Sequence, residues 1–167
     1  RAVASLRENA GSPLLVDAEH QLALTWLVLG RDDRVEQALS PLAHSMPRFL
    51  HVSRRLHRVW FDALRERPVR AALDALIMER DIPGLRSHEV LMIDWLLLRQ
   101  ASAESVEADG DALARRAAAA QLPSLEVLAL AESARRSTEE ASMLAVLDRL
   151  ENAQPLMVER CTAAWWL

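Results

Sequence analysis

VLMIDWLLL, residues Val90–Leu98, is apolar at eight of its nine positions, and no rotation of a helix gathers all eight on one face. A helix that is hydrophobic nearly all round is packed on two or more sides. Ser87 is the expected N-cap and Arg99-Gln100-Ala101 the expected end. The rest of the chain then reads as helices laid on either side of this one.

The flanking sequence supports that reading. The four glycines are isolated, and no run alternates apolar and polar residues as a half-buried strand would. Ala2–Asn9 reads as a short helix. Ser12-Pro13 supplies a cap and a first-turn proline for a helix running to Leu29, with Gly30 as its terminating residue. Asp32 and Asp33 sit where a helix N-terminus favours negative charge, and Pro41 should kink or end the helix they start. Pro47 opens a long amphipathic segment to about Glu66. Phe49, Leu50, Val52, Leu56, Val59, Trp60, Ala63 and Leu64 form its apolar stripe, and His51, Arg55, Arg58, Asp62 and Arg65 its polar side. Pro68–Glu79 is its partner helix, and Asp81-Ile82-Pro83-Gly84 a turn. The helix through Ala120 can start at Ser102 or at Asp111. Leu125–Arg135 follows, then a helix capped by Ser137 and Glu140, and a last one over Pro155–Leu167.

Pro13, Pro47, Pro83, Pro123 and Pro155 are separated by 34, 36, 40 and 32 residues, and each interval holds two helices joined by a short turn. A period of this size is the mark of stacked helical hairpins. The expected fold is all-α: stacked antiparallel hairpins in a right-handed solenoid, with an irregular helical bundle as the alternative. The whole of residues 1–167 reads as one domain. The chain opens on Arg1 and closes on Trp165-Trp166-Leu167, so it is expected to be a piece of a longer protein.

The stretch Gln21–Pro47 resembles a degenerate tetratricopeptide repeat. Leu22 and Ala23 fall where that motif packs helix on helix, Trp26 at its aromatic position, Gly30 at its turn, Leu39 in its second helix and Pro47 at its closing position. Val35 replaces the usual small residue, and Pro41 interrupts the second helix. Segments such as ALARRAAAAQLPSLEVLALAES are similar in texture to the helical-repeat region of MalT-like LuxR-family bacterial transcription regulators. That resemblance implies inducer sensing or self-association in a cytoplasmic regulator, and a small-molecule inducer among the candidate partners. A tetratricopeptide-like adaptor or chaperone of secretion is the competing expectation.

Composition bounds the function. Hydrophobic residues make up 51% and charged residues 26%, ordinary for a globular chain. No apolar run reaches the ~20 residues of a membrane span. The net charge of −4 argues against direct nucleic-acid binding. The single cysteine, Cys161, rules out an internal disulfide and suits a reducing cytoplasm.

No catalytic, metal or cofactor constellation is legible. The five histidines are scattered, none paired with another histidine or cysteine at metal-binding spacing, and no glycine-rich loop could cradle a phosphate. An enzyme is therefore not expected. The candidate residues are partner-binding ones. Arg48–Arg70 carries seven arginines against two acids, an excess of +5, and includes Arg48, His51, Arg55, Arg58 and Arg65. Glu104, Glu107, Asp109 and Asp111 are acidic with no base among them. Such runs are either solvated helix faces or complementary surfaces for a protein partner or a second copy in a homodimer. Asp94 lies in the most apolar helix, so it faces a solvated strip, meets an arginine or lines a groove. Trp165 and Trp166 would form an apolar contact surface unless they fold back.

Overall fold

The computed structural model describes residues 13–101, 103–136 and 143–148. Every regular element among them is an α-helix, and no strand occurs among the described residues. The helices are α1 (Pro13–Val28), α2 (Asp32–Ala38), α3 (Arg48–Leu64), α4 (Arg70–Ile77), α5 (Ser87–Gln100), α6 (Ala103–Ala119), α7 (Pro123–Arg136) and α8 (residues 143–148). The expected helices at Ala2–Asn9 and Pro155–Leu167, the Ser137 cap, Cys161, Trp165 and Trp166 lie outside the described residues. The chain divides into two compact units, Arg1–Leu85 and Arg86–Leu167.

In the first unit α1 packs against α2 and α3, and α3 against α4. Gly30 ends the α1 turn with φ +66°. Its N–H donates to the Leu27 carbonyl and the Arg31 N–H to the Trp26 carbonyl, the paired bonds of a Schellman motif. α2 is stopped at Ala38, ahead of Pro41. α3 buries Leu50, Val52, Leu56, Val59, Trp60, Phe61 and Ala63, while Phe49 and Leu64 stay half-buried at the stripe's margin. α4 is shorter than the Pro68–Glu79 expectation and is anchored by buried Leu73 and Leu76.

In the second unit α5 packs against both α6 and α7, and α6 packs mainly against α7. Leu91, Met92, Ile93, Trp95, Leu96 and Leu98 of α5 are buried, as its all-round apolar sequence requires. The buried Trp95 indole N–H donates to the Leu128 carbonyl at 3.1 Å, fixing α5 to α7. The Arg99 guanidinium lies 5.5 Å from the Trp95 ring centroid. The N-cap is Arg86 rather than Ser87. Glu89, three residues on, folds its carboxylate back to accept the Arg86 N–H at 2.8 Å and pairs with the Arg86 guanidinium. That carboxylate satisfies the N–H of the cap residue, the N3 half of a capping box, and Ser87 becomes the first helical residue.

α6 starts at Ala103 and runs straight through Gly110. A Cβ at Gly110 would lie 3.1 Å from Ser133 Cβ and 3.2 Å from the Ala129 carbonyl oxygen of α7. Close approach of two helices, not a turn, explains this glycine. The α6–α7 link repeats the Schellman pattern without glycine: Gln121 has φ +57°, its N–H donates to Ala118, and the Leu122 N–H donates to Ala117. Val127, Ala131 and Ala134 of α7 form a cluster with Val146, joined by Leu130 and Met143.

Candidate functional site

α5 and α6 are consecutive and antiparallel: Asp94 meets Arg116, and Leu97, Leu98 and Ala101 on the α5 side line one cleft with Asp109, Ala112 and Leu113 of α6. Each set recurs every three or four residues, one stripe per helix. Because α6 leans on α7 and the seam holds the small residues Ala101 and Ala112, a cleft of about 310 Å³ remains between the stripes. Leu98 and Leu113 are its buried floor, while Asp109, Ala112 and Arg116 are exposed at its edge.

Asp94 is where the sequence left three readings open, and the structure combines two. Its Oδ2 accepts from Arg116 Nη2 at 2.8 Å, and the pair closes one end of the cleft. The two partners differ in burial: the Asp94 side chain is 11% exposed and that of Arg116 53%. The guanidinium therefore keeps much of its hydration, and the pair is nearer a surface bridge than a buried one. At the other end Asp109 has no ion pair among the described residues. Nothing in the cleft is arranged as a nucleophile with a base. The cleft can hold an apolar group between two charged ends.

The basic stripe is organised differently from its sequence reading. Arg48 and Arg55 both reach Glu79. Arg58 and Arg65 meet at Glu36, at 2.7 and 3.2 Å, and Arg65 also reaches Asp32. Arg67 joins the same network through Asp32, Glu36 and Asp62, and Arg70 pairs with Asp74. Arg54 pairs with Glu19. Five carboxylates from outside the segment (Glu19, Asp32, Glu36, Asp74 and Glu79) thus face its excess of five positive charges. His51 is half-buried on α3. Arg48, Arg55, Arg58 and Arg65 are brought together in two groups around Glu79 and Glu36; Asp94 belongs to the second unit.

A buried polar knot in the first unit escaped the sequence reading. Arg54 and Glu19 have side chains only 4% and 6% exposed. Arg54 Nη1 also donates to the Ala38 carbonyl at 2.7 Å, satisfying an orphan oxygen at the end of α2. One guanidinium therefore joins α1, α2 and α3. Beside it the His20 and His57 rings lie 4.1 Å apart between centroids, with Phe61 edge-on to His20. The signal was helical phase: Leu50, Arg54, His57 and Phe61 recur at spacings of four, three and four, the spacing of the apolar face.

Among the described residues no three His, Cys, Asp or Glu side chains converge as metal ligands would, and no helix is long and apolar enough to cross a membrane. No protein-family model, curated protein or solved structure matches the chain.

Proposed function

We propose that this chain is a non-catalytic interaction module, a tetratricopeptide-like stack of helical hairpins within a cytoplasmic bacterial transcription regulator of the MalT-like kind. The observation that carries the reading is the α5–α6 cleft, an apolar trough with charged ends and no reacting group. Such a surface suits recognition of another chain or a small ligand. Two packing patterns support the stacked-hairpin part. α1 contacts both its own partner α2 and the next hairpin's first helix α3, and α5 does the same with α6 and α7. Exposed Leu14, Val28, Leu29 and Met78 add apolar surface of the sort that interfaces cover.

Sedimentation velocity between about 1 and 100 µM tests the self-association arm, since specific complexes have constants near or below ~1 µM. Dimerisation that weakens when Trp165 and Trp166 are both changed to Ala is the expected result. A monomer at the highest concentration would remove self-association and leave contact with a different protein.

A further inference from the structure

The cleft in the α5–α6 hairpin has a shape and a charge that restrict what can occupy it. From Asp94 to Ala101 it follows two turns of α5, about 10 Å at the helical rise. Its volume of about 310 Å³ sits at the lower limit of small-molecule pockets, which begin near ~300 Å³. It runs as an open trough along two helices rather than an enclosed cavity, a form that suits side chains projecting from another backbone. The middle is aliphatic: Leu97, Leu98 and Leu113, with Ala101 and Ala112 leaving the space. The lining carries two carboxylates, Asp94 and Asp109, against one guanidinium, Arg116. Asp94 is engaged by Arg116, so the negative charge left to a ligand is at Asp109. In sequence Asp109 belongs to the acidic run with Glu104, Glu107 and Asp111.

A second copy of the chain would offer Asp109 the arginine stripe Arg48–Arg70 as its cation. Its charge, however, is matched by carboxylates of the first unit, with Glu36 and Glu79 each holding two or more arginines. Recruiting the stripe would mean breaking those pairs, which favours a different source for the cation.

We propose that the α5–α6 cleft docks an amphipathic basic segment of a partner protein, an aliphatic side chain entering between Leu98 and Leu113 while an adjacent arginine or lysine meets Asp109. The inference rests on reading the chain as an interaction module and names the chemistry of its partner.

Fluorescence anisotropy with the whole chain tests it, using a fluorescein-labelled peptide of leucine pairs separated by arginines. A second peptide with glutamate in place of each arginine is the comparison. Saturable binding is expected for the arginine peptide, with the glutamate peptide weaker by about tenfold or more. Ala112→Trp, which fills the trough from an exposed position, should weaken binding about tenfold or more, and Asp109→Lys about threefold or more. Both positions are exposed, and circular dichroism checks that the variants keep their helix content. Absence of saturable binding, equal binding of the two peptides, or affinity unchanged by Ala112→Trp would each overturn the proposal. If the peptide fails while the chain still self-associates, the docking inference falls and the wider reading stands. If neither occurs, the docking inference and the self-association arm both fall.

Discussion

Removing the Glu19 carboxylate should be among the most damaging single changes in the first unit. The substitution Glu19→Ala leaves the Arg54 guanidinium, 4% exposed, inside the α1–α2–α3 junction without its counter-ion. Breaking a buried pair from one side costs about 3–5 kcal/mol because the remaining charge has lost its partner and cannot regain water. A domain's whole stability is roughly 5–15 kcal/mol, so a fifth or more is at stake. Replacing both members, Glu19→Leu with Arg54→Met, removes the desolvated charges together, which is often neutral or stabilising by about 1–4 kcal/mol. That variant also strands the Ala38 carbonyl that Arg54 serves, worth about 1 kcal/mol or more. The double variant should therefore lie within about 1–2 kcal/mol of the parent and above Glu19→Ala. Urea melts followed by far-ultraviolet circular dichroism, and by tryptophan fluorescence, to which buried Trp60 contributes, give the comparison. A Glu19→Ala loss below about 0.5 kcal/mol, the level of ordinary surface changes, would refute the placement of this pair in the core.

The other ion pair should behave differently. Asp94→Ala leaves Arg116 free to hydrate, so it should cost only about 1 kcal/mol; a loss of 3 kcal/mol or more in the same melt would show the pair to be buried. Gly110→Ala gains about 1 kcal/mol of helix propensity but presses α6 on Ser133 and the Ala129 carbonyl. Overpacking of about 1–3 kcal/mol should win, and a raised midpoint would contradict the close α6–α7 approach. Gln121 holds a left-handed conformation that costs a side chain about 1–2 kcal/mol. Gln121→Gly should thus stabilise by roughly 0.5–1 kcal/mol after the glycine's larger unfolded-state entropy is counted, measured as a rise in the urea midpoint.

What could be read from the sequence was set by patterns that are local. The apolar run Val90–Leu98 announced a helix buried on several sides, and α5 is that helix. Pro13, Pro47 and Pro123 mark helix starts because a missing N–H is harmless there. Features that depend on a neighbour were hidden. Asp111 looked like a possible helix start because the reason for Gly110 before it lies in Ser133 and Ala129, some twenty residues on. Arg54 stood next to exposed Arg55 and shared its residue type, and only its phase with Leu50 and Phe61 separated a core guanidinium from a surface one. The stripe's +5 was counted along the chain, whereas Glu36 arrives from α2 and Glu79 from the turn after α4. Asp94 drew notice because a carboxylate among leucines needs an explanation. Its partner Arg116 and the trough beside it required the antiparallel packing of α5 and α6.

The most direct test of the account is where a ligand lands. Backbone amide chemical-shift mapping of the ¹⁵N-labelled chain, titrated with the leucine–arginine peptide, locates contact residue by residue. Shifts should concentrate at Asp94–Ala101 and Asp109–Arg116, with the first unit unchanged. Shifts centred on the arginine stripe of α3, or spread evenly over both units, would contradict the assignment of the α5–α6 cleft as the contact surface.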